Sequence, residues 1–382
     1  MEAGLQNRII ENNILSPNYF LLGYYKQPWS ILILKRGIFI VNVGIVGATG
    51  YTGLELLRLL VTHPNVDSLL LTSRKNKGLS VGRVYPEFQS VIDLEYSEPS
   101  PEVLADCDVV FFCTPHGVAQ TMVPSLLEVG VKVIDLSADF RIRDVSMWEK
   151  WYGMTHGAPN CVAQAVYGLP EFNREKIALA DLIACPGCYP TTVELGLLPL
   201  LENGCLELSD IIANVASGVS GAGKTLSTDK LFAEVNDSFK AYGVSGHRHQ
   251  PEIEQILSEM AGNEVNITFV PHLLPINRGI HSTLYGNLKD SRENVQGLFE
   301  DFYRFEPFVQ VLPAGLHPST RNVRGTNICQ ISVCQPGNNA RIIVLVVEDN
   351  LTKGASGQAI QCMNIMFSFS ETDGLSAAAL VP

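Results

Sequence analysis

The sequence lacks the features that mark several classes of protein. Its 27 Lys and Arg are outnumbered by 39 Asp and Glu, for a net charge of −12, which argues against a general nucleic-acid binder because such a protein needs a basic face. The apolar stretch at 29–41 is interrupted by Lys35 and Arg36, so no run reaches the length of a membrane span. Nine irregularly spaced cysteines make no disulfide framework, and we expect a reducing, cytoplasmic compartment.

The most informative stretch that is present is ACPGCYPTT, residues 184–192. Before it, residues 181–184 predict a short buried strand, and after it residues 193–201 predict an apolar helix. Cys188 is therefore expected at the positive end of a helix, where unpaired N–H groups lower the pKa of a thiol. Because the thiolate is the nucleophilic form, we predict that Cys188 is a catalytic nucleophile.

Two other interpretations of this cysteine stay open. Cysteine is often a small buried hydrophobe, and Cys185 with Cys188 forms a C-x-x-C pair, a spacing used by dithiol redox proteins and by zinc sites. The other cysteines supply no second C-x-x-C pair. We therefore expect no metal, and the redox alternative remains.

A second motif predicts a dinucleotide site. An apolar strand at 38–46 runs into GATGYTG at 47–53 and then into an amphipathic helix. In this strand–turn–helix pattern the first glycines let the backbone approach a pyrophosphate, and the last lets the helix pack on the strand. The residues expected to contact the cofactor here are Gly47, Thr49, Gly50, Tyr51, Thr52 and Gly53.

The end of the next strand indicates which dinucleotide is preferred. The strand at 68–72 is followed by Ser73, Arg74 and Lys75, where a site for NAD would place an acidic residue for the ribose hydroxyl. A hydroxyl and two cations suit a 2′-phosphate, so the sequence favours NADP, the alternative being an ordinary solvated loop.

Strands and helices continue to alternate, with strands at 108–114 and 132–137. This order is typical of a doubly wound parallel sheet, whose ligand loops follow the carboxyl ends of the strands. Pro115 and residues 137–141 lie in such loops. Farther on, strands at 266–270, 282–288, 328–333 and 341–347 predict an antiparallel sheet that covers the cysteine. An apolar helix at 360–369 is expected to return to the first domain.

Two polar segments follow Cys188. SGVSGAGK at 217–224 has the spacing of an ATP-binding loop, but it lies after a dinucleotide fold has begun, so we favour an anion-facing or substrate-facing loop. His247 and His249 flank Arg248 just before a predicted helix. Histidine is a general base at neutral pH and arginine binds carboxylate or phosphate; helix capping is the alternative for either histidine.

Together these motifs resemble the N-acetyl-γ-glutamyl-phosphate reductases of arginine biosynthesis. The matching segments run in order from about residue 40 to 380, and related aspartate-semialdehyde dehydrogenases share the last of them. They are GATGYTG (47–53), LSADFR (136–141), PGCYPT (186–191), SGVSGAGK (217–224), HRHQPEI (247–253), FVPHLLPINRGI (269–280) and DNLTKGASGQA (349–359).

The resemblance implies a Rossmann domain joined to an α+β catalytic domain like that of glyceraldehyde-3-phosphate dehydrogenase. In such an enzyme Cys188 attacks the acyl phosphate, NADPH reduces the resulting thioester, and a histidine acts as base for the thiol and acid for the collapsing hemiacetal, with His249 slightly favoured over His247. The implied substrate-binding residues are Ser137, Arg141, Lys224 and Arg248, and Ser73, Arg74, Pro115, Ser217, Gly218 and Asn350 join the glycine loop as cofactor-binding residues.

The domain bounds expected from the resemblance are an extension at 1–37, a cofactor domain at 38–187 completed by 350–382, and a catalytic domain at 188–349. A homodimer or homotetramer is expected, without nucleic acid or membrane. Two features depart from the family: position 185 is usually Asn there, and the extension has no counterpart. The alternatives are an enzyme acting on β-aspartyl phosphate and an NADP-binding redox sensor in which Cys185 and Cys188 form a disulfide.

Overall fold

A parallel sheet of six strands forms the first half of the fold. The computed structural model describes residues 40–381, so the predicted extension at 1–37 lies outside them. The strand order is β2-β1-β3-β4-β6-β5, and every pairing is parallel. The strands are β1 (Val41–Val46), β2 (Val66–Thr72), β3 (Val109–Phe112), β4 (Lys132–Asp135), β5 (Val166–Tyr167) and β6 (Leu182–Ala184).

Helices cover this sheet on both sides, which explains why its central strands are apolar without alternation. In β3, Val109 and Phe111 face one hydrophobic cluster while Val110 and Phe112 face another. The helices of this half are α1 (Tyr51–Leu60), α2 (Val81–Val84), α3 (Pro101–Leu104), α4 (Val123–Glu128), α5 (Val145–Tyr152), α6 (Pro159–Val162) and α7 (Pro170–Ala178).

The strand register brings the candidate loops to one edge of the sheet. Val46 at the end of β1 is paired with Thr72 and with Phe112, and Phe112 in turn with Asp135. Asp135 is paired with Ala184, the last residue of β6. The glycine loop, the loop after β4 and the cysteine segment therefore leave the sheet side by side.

A sheet of seven strands forms the second half of the fold, and it shares a hydrophobic core with three helices. Its order is β11-β12-β13-β10-β7-β9-β8. The strands are β7 (Ile211–Gly218), β8 (Lys240–Ala241), β9 (Ile267–Leu274), β10 (Ile280–Asn287), β11 (Val309–Val311), β12 (Cys329–Cys334) and β13 (Arg341–Glu348). The helices are α8 (Cys188–Glu202), α9 (Phe232–Val235), α10 (Gln250–Ala261), α11 (Val295–Phe302) and α12 (Gly357–Met366).

The expectation of an antiparallel second sheet is confirmed for β10, β12 and β13 but was wrong for the sheet as a whole, which is mixed. β7 runs parallel to β9, and β11 runs parallel to β12. A parallel pair needs a long crossover, and the segment between β7 and β9 supplies one that contains α10. That crossover places the start of α10 over the cysteine segment.

The last helix returns to the first sheet, as expected from its apolar sequence. Ile360, Met363 and Met366 of α12 lie in the same hydrophobic cluster as Val43 and Ile45 of β1. Across residues 40–381, none of the helices has both the length and the apolarity needed to cross a membrane.

Candidate active site

Cys188 is the first residue of α8, so its predicted place at a helix start is confirmed. Gly187 is the N-cap residue, and no side chain caps the helix. The backbone N–H of Gly187 donates a hydrogen bond of 2.8 Å to Oε1 of Glu252, in the first turn of α10. A buried carboxylate thus fixes the segment that carries the thiol.

His249 lies directly against this segment. A Cβ atom added to Gly187 would lie 2.6 Å from Nε2 of His249, so only glycine allows this approach. Nδ1 of His249 is shielded from solvent and has no hydrogen-bond partner among the described residues. His247 contacts His249 instead of Gly187: its Nδ1 accepts a hydrogen bond of 3.1 Å from the backbone N–H of His249. Of the two histidines, His249 has its ring on the residue that precedes the nucleophile.

The expectation that the helix start lowers the pKa of Cys188 was wrong for this state of the protein. Burial and the nearby carboxyl of Glu348 raise the pKa of the Cys188 thiol to about 12, against the opposing effect of Arg141. Gly354 allows this proximity, because a Cβ atom there would lie 2.6 Å from Oε1 of Glu348 and 2.9 Å from Cβ of Cys188. The effect of desolvation on the pKa exceeds that of the helix N-terminus, so Cys188 is a protonated thiol in the protein without ligands.

Both His247 and His249 are uncharged at neutral pH. Burial, with a smaller contribution from Arg248, lowers the pKa of His247 to about 4. Burial, reinforced by His247 and Arg141, lowers the pKa of His249 well below its ordinary value. A neutral imidazole can accept a proton, and Cys188 and both histidines are uncharged in the protein without ligands.

This charge state predicts how Cys188 reacts with iodoacetamide in the enzyme without ligands. Because the pKa of the thiol is about 12, we expect the alkylation rate to rise by about tenfold for each pH unit between about pH 7 and 10. The measurement is the rate of mass labelling of the peptide that contains Cys188, with Cys188→Ser giving the background of the other cysteines. A rate that is already constant near neutral pH would show a preformed thiolate and contradict this assignment.

Arg141 lies on the other side of Glu252. Its Nη1 is 3.3 Å from Oε2 of Glu252, its Nη2 donates to the carbonyl of Leu136 at 2.9 Å, and Nε has no partner in the described part of the chain. Both members of the ion pair are buried. The structure therefore brings Arg141 to the cysteine segment, through the carboxylate that also holds Gly187.

Ser137 lies in a hydrogen-bonded turn after β4. Its hydroxyl donates to Oδ2 of Asp135 at 2.8 Å and accepts from the N–H of Asp139 at 3.2 Å. Asp139 in turn accepts from the N–H of Gly117 at 2.7 Å, which fixes the loop that contains exposed Pro115. The side chain of Ser137 thus braces the loops around the site.

The other two cations from the sequence lie apart from each other. Arg248 is exposed, with its guanidinium 5.1 Å from the centre of the Tyr152 ring. Lys224 reaches the glycine loop instead, where its Nζ donates to the carbonyl of Thr49 at 2.8 Å and lies 3.0 Å from the hydroxyl of Tyr85. The contacts of Lys224 are therefore with the dinucleotide side of the site.

The glycine loop fits a dinucleotide phosphate. Gly47 has φ of +81° and Gly53 packs on Ala48, so both are required by the fold itself. Gly50 is not crowded: a Cβ atom there would meet only ordinary contacts, at 3.5 Å or more. Gly50 is also the N-cap of α1, whose first N–H groups are met by no side-chain cap. An anion can approach these groups without displacing any side chain.

A second loop borders the glycine loop. Asn350 is buried, accepts from the N–H of Gly279 at 2.8 Å and donates to Oγ of Ser220 at 2.9 Å. It therefore holds the segment that begins with Ser217 and Gly218, where a Cβ atom on Gly218 would lie 2.8 Å from a backbone oxygen. Asn350 braces this loop through its side chain.

The polar residues after β2 lie at the same edge of the sheet. The N–H of Ala48 donates to the carbonyl of Thr72 at 3.3 Å, which joins the glycine loop to the end of β2. Ser73 follows as a buried residue, and Arg74 and Lys75 are exposed. This places a hydroxyl and two cations beside the dinucleotide loop.

Cys185 does not form an accessible pair with Cys188. It is 1% exposed, lies in the cluster under the first sheet, and its thiol contacts that of Cys362. Both Cys185 and Cys188 are free thiols. Burial and Cys362 raise the pKa of Cys185 well above its ordinary value. Its surroundings are those of a small core residue.

The sequence analysis missed Glu348 and also the three residues of a hydrogen-bonded group that reaches Gly187, which are Glu252, Tyr167 and Glu194. Glu252 stands in the first turn of α10, where an acidic residue is ordinary. Glu194 is the one charged residue in an otherwise apolar segment at 193–201, a signal that could have been used. No sequence pattern indicated a role for Tyr167. Within residues 40–381, no group of three or more potential ligands could hold a metal ion.

Comparison with known proteins identifies the two halves of the chain. The family model described as semialdehyde dehydrogenase, NAD binding domain, matches residues 42–180, and the one described as semialdehyde dehydrogenase, dimerisation domain, matches residues 188–350. Two solved structures show the same fold. Aspartate semialdehyde dehydrogenase II from Vibrio cholerae gives a TM-score of 0.67 at 18% identity over 86% of this chain and 98% of that chain. The enzyme from Candida albicans with NADP gives 0.64 at 17% identity over the same shares.

Closer relatives carry another name. Proteins of Saccharophagus degradans and Cellvibrio japonicus, both named N-acetyl-gamma-glutamyl-phosphate reductase, are each 58% identical to this chain, over 345 and 347 residues, respectively. Each match covers 90% of this chain and 100% of the relative. The chain belongs to the N-acetyl-γ-glutamyl-phosphate reductase family of semialdehyde dehydrogenases.

Proposed function

We propose that this enzyme reduces N-acetyl-γ-glutamyl phosphate to N-acetylglutamate 5-semialdehyde with NADPH and releases phosphate, a step of arginine biosynthesis. The observation that carries the proposal is the contact of His249 with the segment of Cys188, at the same sheet edge as a loop that fits a dinucleotide phosphate. The relatives at 58% identity bear the name of this activity.

In the first step Sγ of Cys188 attacks the acyl carbon of the substrate. His249 takes the thiol proton, on the ring nitrogen that lies against Gly187. The bond between the acyl carbon and the phosphate oxygen breaks, and the departing phosphate takes the proton from the imidazolium. Cys188 is left as a thioester, and His249 is neutral again.

Bound NADPH supplies the hydride that reduces this thioester. The tetrahedral adduct on Cys188 then collapses to the aldehyde and expels the thiolate, which recovers its proton from solvent through His249. Because the free thiol has a raised pKa, protonation of the expelled sulfur is favourable and completes the cycle.

We assign the substrate carboxylate and phosphate to Arg141 and Arg248. Two observations support this assignment. Arg141 is paired with Glu252, which also binds the N–H of Gly187, and Arg248 is exposed just before α10. Ser137 holds the loop that carries Arg141. Lys224 was expected to bind substrate, but its contacts with Thr49 and Tyr85 favour a place on the cofactor side.

The cofactor residues form a second proposal. Backbone groups of the glycine loop hold the pyrophosphate, with the segment braced by Asn350 across from it. Ser73 and Arg74 would bind a 2′-phosphate, since both follow β2 beside that loop. This arrangement favours NADP over NAD.

The enzyme assembles as a homodimer or homotetramer through the segment between β7 and α10. Three large apolar side chains of this segment are exposed: Leu226 is 95%, Phe232 82% and Phe239 62% exposed. So many apolar side chains on one segment are typical of an interface, and the segment lies within the range matched by the dimerisation domain.

We expect Phe232→Asp to lower the mass of the assembly, because a carboxylate cannot be buried there without a partner. The measurement is light scattering after size exclusion at micromolar concentration. Phe305→Asp is the matched control, since Phe305 is 88% exposed outside this segment, and it should assemble like the wild type. A monomeric wild type would refute the assembly, and an unchanged Phe232→Asp would refute this face.

The function is tested in the reverse direction, as phosphate-dependent reduction of NADP⁺ by N-acetylglutamate semialdehyde. We expect this substrate to be preferred over aspartate semialdehyde, and NADP⁺ over NAD⁺. Preference for aspartate semialdehyde would place the enzyme with the other semialdehyde dehydrogenases. Tight NADPH binding with no turnover of either aldehyde would refute the reductase assignment.

A further inference from the structure

One tyrosine hydroxyl in the core lies between two carboxyl groups. Oη of Tyr167 is 2.8 Å from Oε1 of Glu194 and 2.9 Å from Oε1 of Glu252. All three side chains are buried, at 4%, 0% and 1% exposed. A hydroxyl has one hydrogen and can donate to only one of the two oxygens. The other short contact therefore requires a carboxylic acid that donates to the tyrosine oxygen.

The surroundings decide which carboxyl holds the proton. Glu252 accepts the N–H of Gly187 and is paired with the guanidinium of Arg141, so it has the partners of a carboxylate. Glu194 has no cationic partner at hydrogen-bond distance among the described residues, and its Oε2 has no partner there at all. Burial and the charge of Glu252 raise the pKa of Glu194 well above its ordinary value. The proton belongs on Glu194.

We infer that Glu194, as a neutral acid, donates to Tyr167, and that Tyr167 donates to the Glu252 carboxylate and so holds the nucleophile segment in place. Glu194 and Tyr167 are positioning residues, since they act through Glu252 and Gly187. The inference rests on the proposed function only in that the segment they position carries Cys188.

The consequence for catalysis follows from the oxygen that Tyr167 contacts. Oε1 of Glu252 accepts from both Tyr167 and Gly187, so the two donors together fix its direction. Without the hydroxyl, the carboxylate can rotate toward Arg141 and release the N–H of Gly187. The segment then shifts relative to His249, which lies against Gly187. Such a shift lowers kcat and leaves the dinucleotide loop unchanged.

The kinetic test compares Tyr167→Phe with Glu194→Gln. We expect Tyr167→Phe to lower kcat for reduction of the acyl phosphate by about 10- to 100-fold, the range for one hydrogen bond to a charged group, with an unchanged Kd for NADPH. Glu194→Gln keeps a neutral donor for the tyrosine oxygen, and we expect it to retain activity within about threefold of wild type. Tyr303→Phe is the matched control. The buried hydroxyl of Tyr303 donates to the carbonyl of Leu195, which lies in α8 next to Glu194, and the kcat of this variant should be unchanged.

A second readout needs no turnover. The difference between the infrared spectra of the wild type and Glu194→Gln at neutral pH should contain the carbonyl band of a protonated carboxyl group. The subtraction cancels the bands of other buried acids such as Glu348, and the remaining band should shift in Tyr167→Phe. Loss of activity in Glu194→Gln equal to that in Tyr167→Phe, or a difference spectrum without this band, would overturn the inference. Because the band is independent of substrate, it decides the proton position even where the proposed activity fails or Tyr167→Phe does not fold.

Discussion

Replacement of Cys188 by serine is expected to lower kcat by at least about a thousandfold. Serine would lie at the same helix start beside the same histidine, but its hydroxyl is a far weaker nucleophile than a thiol. Steady-state reduction of the acyl phosphate measures the loss. The Kd for NADPH, measured by quenching of protein fluorescence, should be unchanged, since the glycine loop and the residues after β2 do not involve this side chain.

The matched control is Cys185→Ala, at the other cysteine of the same segment. Cys185 contacts Cys362 in the core of the first half and has no part in the proposed steps, so we expect nearly full activity. If Cys185→Ala lost as much activity as Cys188→Ser with its fold intact, a dithiol mechanism would replace the single nucleophile.

The second large effect is expected at His249. We predict that His249→Asn lowers kcat by about 10²- to 10⁴-fold, the usual contribution of a general acid–base residue. Nε2 of His249 lies against Gly187, whereas His247 contacts the backbone of His249 through Nδ1. His247→Asn removes a positioning contact and should cost about tenfold.

Both histidine variants are compared by kcat and by the single-turnover release of phosphate, which reports formation of the thioester. Since His249 accepts the thiol proton, its loss should slow phosphate release itself. A larger effect of His247→Asn than of His249→Asn on that step would assign the base to His247 instead.

Much of this fold could be predicted because the decisive signals are local. The apolar strands around Val110 and Ile134, each followed by a loop and a helix, predicted a parallel sheet, and parallel connectivity fixes where their loops meet. The glycine spacing at 47–53 and the place of Cys188 at the start of α8 likewise depend on neighbouring residues only. These predictions were confirmed by the structure.

The electrostatics of the site could not be predicted in the same way. The helix start at Cys188 suggested a thiolate. Burial of the thiol, together with the carboxyl of Glu348 from far along the chain, instead raises the pKa of Cys188. The hydrogen bond from the N–H of Gly187 to the carboxylate of Glu252 likewise joins residues 65 positions apart. The parallel pairing of β7 with β9 also depends on a crossover whose path the strand patterns do not encode.

In the proposed mechanism Cys188 forms a thioester and phosphate is released before reduction. The most direct measurement mixes enzyme with N-acetyl-γ-glutamyl phosphate in the absence of NADPH and follows phosphate and intact protein mass. We expect a burst of one phosphate per active site and an N-acetylglutamyl adduct on Cys188, with neither in Cys188→Ser. Phosphate release that requires NADPH, with no adduct on the protein, would contradict this mechanism.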